Sequence, residues 1–193
     1  MSKRILLIQG HPDASAPHLC HALAASYMQG ALLSGHSVRQ CQVAELDFPL
    51  LRSQKDFETG SLPTSLQTAQ DGIFWCEHLL LFFPLWAGDM PALLKGFLEQ
   101  VFRPGFTGSS RKPFDKKPLS GRSVRVVVTM AMPALVYRWY FRAHSVKSLE
   151  RNMFGMVGMG PVDKTLIGLV AGMDDTTASQ WLSKLKGLGE RGD

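Results

Sequence analysis

Three short segments of the 193-residue chain concentrate the residue types that hold and orient small ligands. The first, Gly10-His11-Pro12-Asp13-Ala14-Ser15-Ala16-Pro17-His18, runs into a helical pattern. Free backbone N–H groups and the dipole at a helix start favour a phosphate there. A plainer alternative stays open, in which Ser15 only caps its helix; His11 and His18 are ambiguous on their own. Neither GxxxxGK followed by Ser or Thr nor GxGxxG occurs, so the usual signatures of P-loop and dinucleotide-binding Rossmann chemistry are missing. The second segment, Phe83-Pro84-Leu85-Trp86-Ala87-Gly88-Asp89-Met90-Pro91, is apolar and aromatic where an exposed loop should be polar, which suits a flat ligand. The competing reading is that Trp86 seals the top of the core. The third segment, Thr129-Met130-Ala131-Met132, ends another apolar run.

The elements that must position these segments follow from hydrophobic periodicity. Residues 4–8, Arg-Ile-Leu-Leu-Ile, read as a strand buried on both faces, followed by a helical pattern over 16–33 that Gly35 ends. Residues 37–43 alternate weakly, as an edge strand does, and 45–63 form a long surface excursion. A helix over 64–77 precedes the strongest strand, 79–83, stopped by Pro84; Asp89 is expected to cap a helix opening near Pro91. A Gly-, Pro-, Ser- and Lys-rich stretch over 103–122 leads to a strand at 124–129. Then come one helical segment over 133–154, a strand at 165–170 and a helix at 174–188. The order βαβαβαβαβα predicts an α/β fold: a doubly wound five-stranded parallel sheet in a three-layer α/β/α sandwich, one domain over residues 1–193. The ligand of such a sheet sits at the carboxyl ends of the strands, where all three segments fall.

Composition narrows the class. With 45% hydrophobic and 19% charged residues and no apolar run near the roughly 18 needed to span a bilayer, the chain reads as a globular domain. Residues 1–8 are too short an apolar run for a signal peptide, so the expected location is the cytoplasm. Cys20, Cys41 and Cys76 are far apart and lack metal-ligand spacing, which predicts reduced, buried thiols and no metal site. The net charge of +5 suits anionic partners, but no zinc-finger spacing or RNP-type motif supports nucleic acid. The run Leu135-Val136-Tyr137-Arg138-Trp139-Tyr140-Phe141, with Arg142, Lys147 and Arg151 beyond it, reads as an amphipathic or partner-facing surface. Acidic lipid, the phosphate of a pyridine dinucleotide and a dimer partner all suit it. Met153, Met156 and Met159 among Gly155, Gly158 and Gly160 are either a flexible lining or a plain loop.

One resemblance is specific. Phe83-Pro84-Leu85, then Met90-Pro91-Ala92-Leu93-Leu94-Lys95-Gly96-Phe97 and Val101-Phe102, resemble the signature of the flavodoxin-like NAD(P)H:quinone oxidoreductases, the DT-diaphorase type and its shorter bacterial relatives. Gly10-His11, Leu46-Asp47-Phe48-Pro49 and Lys55-Asp56-Phe57 extend the likeness in consistent order from about residue 4 to residue 132. It implies a flavin whose phosphate lies at His11, Ser15, Ala16, Pro17 and His18. The flavin ring would rest against Pro84, Leu85, Trp86, Ala87 and Gly88, with Thr129, Met130, Ala131 and Met132 at its pyrimidine edge. The family often has an aromatic residue and Asn where Pro17 and His18 stand, and a Thr-Thr-Gly-Gly-like stretch at 129–132. FMN is the expected flavin because the long C-terminal extension of the DT-diaphorase type is missing; FAD stays open. In the quinone reductases a Tyr and a His after the third loop assist hydride transfer, and Tyr137 and His144 are the nearest candidates here. The implied reaction is ping-pong hydride transfer from NAD(P)H through the flavin to a quinone-like acceptor, in a homodimer. Two rival functions fit the same fold: a single-electron carrier flavodoxin, which the basic charge disfavours, and a regulatory subunit of a membrane transporter.

Overall fold

The computed structural model describes residues 2–103 and 117–193. Five strands form one parallel sheet in the order β2-β1-β3-β4-β5: β1 Arg4–Gln9, β2 Ser37–Gln42, β3 His78–Pro84, β4 Ser123–Thr129 and β5 Val162–Ile167. The register runs Ile5 to His78, His78 to Ser123 and Val124 to Val162, so the carboxyl ends of β1, β3 and β4 emerge side by side. The strand order reverses between β1 and β3, and there a doubly wound sheet leaves a crevice.

The central strands carry consecutive apolar residues, Ile5–Ile8, Leu79–Phe83 and Val126–Val128, because both faces of the sheet are covered. Ile5, Leu7, Leu80, Phe82 and Val127 face α1 (Leu19–Leu33) and α8 (Asp175–Arg191), meeting Leu23, Tyr27, Leu185 and Leu188. Leu6, Ile8, Leu79, Leu81, Phe83 and Val126 face the other way, onto α3 (Gln67–Trp75) and α4 (Ala92–Val101) through Ile73, Leu94, Phe97 and Val101. The edge strands are shielded differently. Exposed Asp163 and Lys164 on β5 pair with Arg125 at 3.4 Å and with Glu150 at 2.5 Å, which blunts that edge against strand pairing.

The excursion over 45–63 contains a short helix, α2 (Gln54–Thr59), and is tied down by the buried Arg103, which donates to the Asp56 carbonyl at 3.1 Å and the Ser61 carbonyl at 2.7 Å. Of the stretch expected to be irregular over 103–122, residues 104–116 lie outside the described residues.

Two expectations need correction. The single helix over 133–154 is broken into α5 (Ala134–Trp139), α6 (His144–Ser148), a π-helical turn at Leu149–Phe154 and α7 (Gly155–Val157). Arg142 and Ala143 have φ of 55° and 47°, and two consecutive left-handed residues cannot continue a helix. The reversal lets the Ala143 N–H donate to the Tyr137 carbonyl at 2.9 Å. The last strand starts and ends three residues earlier than 165–170. It stops at Ile167 because Leu169 is left-handed (φ 59°), and a Cβ on Gly168 would sit 2.4 Å from the Ala134 nitrogen.

Candidate functional site

The three strand tips meet. The Gly10 N–H donates to the Phe82 carbonyl at 2.7 Å, and the Leu85 N–H donates to the Thr129 carbonyl at 2.7 Å, stitching the first loop to β3 and the second loop to the start of the third. The His11 ring lies 6.2 Å from the Trp86 ring, edge to face.

In the first loop α1 begins at Leu19, and its N-cap, His18, gives no side-chain cap; the first turn holds no acidic residue. Ser15 therefore does not cap the helix. Its backbone N–H (2.8 Å) and hydroxyl (2.6 Å) donate instead to Asp13, whose carboxylate also meets His18 Nε2 at 2.9 Å. The Ser15 hydroxyl and His18 hold the Asp13 carboxyl far below the usual carboxylate range, so it is an anion. The loop's own carboxylate thus occupies donors that a phosphate would use. His11, buried, stacks on His18 at 4.0 Å between centroids and meets His21 at 4.9 Å. Burial, and then repulsion by His18 and His21, lower the His11 pKa below its ordinary value; burial and His18 do the same to His21. Lowered in this way, His11 and His21 favour their neutral imidazole forms. Among the described residues no group of three or more His, Cys, Asp or Glu is placed to hold a metal ion. Ala16 is half-buried and Pro17 exposed at the rim.

The second loop is a tight turn. Trp86 and Asp89 exchange both backbone hydrogen bonds, at 2.8 and 2.9 Å, around Ala87 (φ 48°) and Gly88 (φ 84°). Two left-handed central residues define a type I′-like turn, and a non-glycine residue held there costs about 1–2 kcal/mol. That geometry lifts Trp86 out to 51% exposure, so it does not seal the core. Pro84 is buried and Leu85 half-buried beneath it. Asp89 does not cap α4, whose N-cap is Pro91; it accepts from the Met90 N–H at 2.7 Å and fixes the end of the turn.

In the third loop Thr129 and Met130 are buried, and the Thr129 hydroxyl hydrogen-bonds with the Cys20 thiol, which burial pushes up to about 12. Only Ala131 and half-buried Met132 face outward. Tyr137 and His144 are brought together, with ring centroids 6.4 Å apart, but differ in access. Tyr137 is wholly buried and its hydroxyl pairs with the Ser145 hydroxyl, so it is not part of an exposed partner face. His144 is exposed; its Nδ1 donates to the Phe141 carbonyl at 3.1 Å, and its Nε2 and Cε1 lie 3.9 Å from where a Gly88 Cβ would stand. Beside the second loop, a hollow of about 320 Å³ is lined by Asp89, Met90, Phe102, Asn152, Met153 and Met156. Two of the three methionines are therefore a lining.

Sequence reasoning missed Asp13, His21 and Ser145. The i, i+2 spacing of Asp13 and Ser15 is that of an Asx-type turn and could have flagged the first; nothing local marks Ser145 as the partner of Tyr137.

An all-parallel sheet of order 2-1-3-4-5, whose order reverses between β1 and β3, defines the flavodoxin-like class. The chain matches the model of the flavodoxin-like fold family over residues 3–186 and belongs to that family. It is 25% identical over 174 residues to an uncharacterized NAD(P)H oxidoreductase of Haemophilus influenzae, covering 88% of this chain and 86% of that protein. Among solved structures it is similar to the NAD(P)H:quinone oxidoreductase of Methanothermobacter marburgensis, with TM-score 0.79, 20% identity and coverage of 99% and 97% of the two chains. It is also similar to an FMN-dependent NADH-azoreductase of Bacillus anthracis in complex with FMN, with TM-score 0.72, 15% identity and 98% of each chain covered.

Proposed function

We propose that the protein is a flavin-dependent oxidoreductase that moves a hydride from NAD(P)H to a quinone-like acceptor by a ping-pong mechanism, with FMN as the flavin. The observation that carries this reading is the meeting of an uncapped helix start, ringed by His11, His18 and His21, with a half-exposed Trp86 whose ring lies 6.2 Å from His11. One feature suits a phosphate and the other a flat ring, on adjoining strand tips. The relatives named for NAD(P)H, quinone and FMN chemistry support the same assignment.

The residues present fit the group. Ser15, His18 and the free N–H groups at the start of α1 would hold the phosphate, Asp13 giving up the donors it now occupies. The ring would rest on the turn at Trp86, Ala87 and Gly88; the turn spends the Trp86 N–H on the Asp89 carbonyl, and the amides of Ala87 and Gly88 would stabilise negative charge on the ring. The flavin, when bound, supplies the two-electron hydride chemistry. The chain's own contribution is position and proton supply. His144, with its Nδ1–H committed to the Phe141 carbonyl, turns Nε2 towards Gly88, where it would take up a proton from solvent and pass it to an acceptor oxygen lying over that glycine. Tyr137 acts as a positioning residue, its bond to Ser145 pinning the start of α6 that carries His144. The Met-lined hollow beside Met90 gives an apolar acceptor a wall to pack on.

The test is steady-state oxidation of NADH and NADPH by FMN-loaded protein with a benzoquinone, varying both substrates. Parallel double-reciprocal lines are expected. Failure to retain flavin, or to oxidise either nucleotide, overturns the proposal. Releasing the retained flavin by denaturation and weighing it decides between FMN and FAD.

A further inference from the structure

The most unusual surface of the molecule plays no part in that chemistry. α5 and the turn after it expose Leu135 (68%), Trp139 (73%) and Tyr140 (80%), with Val136 and Phe141 beside them. Large apolar side chains on a surface are ordinarily scattered singly, and five within residues 135–141 are not. Basic side chains surround them. A cleft of about 1010 Å³ between this segment and α8, across the β5 edge, is lined by Arg138, Trp139, Arg142, Lys147, Trp181 and Lys184 among others and, among the described residues, by no Asp or Glu. An adjoining hollow shares Arg142 and Lys147 and adds Arg151; among the described residues the one acid lining it, Glu150, is held by Lys164. Among the described residues Arg138, Arg142, Lys147 and Arg151 form no ion pair with an acid.

We propose that this face docks on an anionic lipid surface, with Trp139, Tyr140 and Leu135 entering the interfacial layer and the basic side chains meeting the headgroups. Trp and Tyr sit at the level of lipid headgroups because one end of each is apolar and the other polar, and cations beside them are drawn to a negative leaflet. Other occupants fit less well. A soluble anion in the cleft would leave Val136, Tyr140 and Phe141, which are not part of the cleft lining, in water. A second copy related by a two-fold axis would bring this basic patch against itself, with, among the described residues lining it, no free acid to answer Arg138, Arg142 and Lys147.

The docking face stands on its own observations; what it achieves rests on the oxidoreductase reading. α5 follows directly on the third loop, and His144 opens α6 at the border of the patch. Binding through α5 therefore brings the mouth of the site to the lipid, where an apolar acceptor is dissolved.

The test is co-sedimentation of the full-length protein with phosphatidylcholine vesicles, with and without phosphatidylglycerol. Binding is expected only with phosphatidylglycerol and should weaken as salt is added. Replacing Arg138→Gln together with Lys147→Gln should lower the partition coefficient about thirtyfold, the loss for two basic side chains at an anionic surface. Trp139→Ala with Tyr140→Ala should abolish binding at salt concentrations where the charge variant still binds weakly. These side chains are exposed, and circular dichroism of each variant should match the parent. Equal binding to both vesicle types, no binding to either, or a solution dimer split by the same substitutions would overturn the proposal. Oxidation of NAD(P)H by a water-soluble benzoquinone, measured without vesicles, separates the two readings: its absence alongside intact vesicle binding removes the catalytic reading and leaves the docking face.

Discussion

Replacing Gly189 by Ala should destabilise the protein although it improves helix propensity. Gly189 lies near the end of α8, and a Cβ built there falls 2.1 Å from the Tyr27 carbonyl oxygen and 2.9 Å from the Ala31 nitrogen of α1. An ordinary carbon-to-oxygen contact is about 3.3 Å or more, so the helices must part by roughly 1 Å at their crossing. A gap of that size forfeits a quarter to a half of the dispersion energy of each facing atom pair, and Leu23, Tyr27, Leu185 and Leu188 all sit in that layer. Overpacking of this kind costs about 3 kcal/mol, against about 1 kcal/mol gained by Ala over Gly in a helix. The net loss is about 2 kcal/mol, which lowers Tm by about 4–8 °C for a chain of this size. Gly187 is the internal control: on the same helix its Cβ would meet only Arg191 Nη1, at 3.6 Å, so Gly187→Ala should raise Tm by about 2–4 °C. Urea and thermal unfolding followed by circular dichroism measure both. A Gly189→Ala protein as stable as its parent would refute the close helix crossing, and with it the anchoring of the helix that follows the first loop.

Three further outcomes follow from particular side chains. Asp13→Asn should tighten FMN severalfold more than it tightens riboflavin, because only FMN brings a phosphate to the donors that the Asp13 anion occupies; paired equilibrium titrations would show the difference, and equal effects would place the phosphate elsewhere. Stability of the flavin-free protein should fall as pH drops from about 6.5 towards 4. Burial pushes the His78 pKa down to about 4 from 6.5, so the unfolded chain binds this proton more tightly; the contribution is complete above 6.5, and about 3 kcal/mol of it is lost by pH 4. The lowered His11 and His21 act in the same direction, and a His78→Gln protein should show a shallower slope in denaturant unfolding across that range. Arg103→Ala removes the two bonds from this side chain to the Asp56 and Ser61 carbonyls, and limited proteolysis should then cut within residues 50–62 well before the rest of the chain.

The layered sheet was legible because buried parallel strands leave an unmistakable pattern. Residues 79–83 form an unbroken apolar run closed by a proline, and the weak alternation of 37–43 is that of an edge strand. The convergence of the three loops followed from topology alone. What sequence could not show was how side chains compete within a loop. Ser15 has the chemistry of a cap, but Asp13 two residues earlier captures it, and α1 starts uncapped. The break after α5 was hidden because its left-handed residues are Arg142 and Ala143, with no glycine to announce the reversal; Ala87 conceals half of the turn that lifts Trp86 in the same way. The inward turn of Tyr137 depends on Ser145 across that break, a contact that periodicity within one helix cannot encode.

The account stands on a flavin lodging among the tips of β1, β3 and β4. Its most direct test is an amide-resolved NMR titration of the flavin-free protein with FMN. Saturable shifts are predicted at residues 10–20, 85–89 and 130–132, with the amides of Cys20 and Gly88 among the largest. Shifts that gather instead along the cleft at Arg138 and Trp181, or no saturable shift at all, would contradict it.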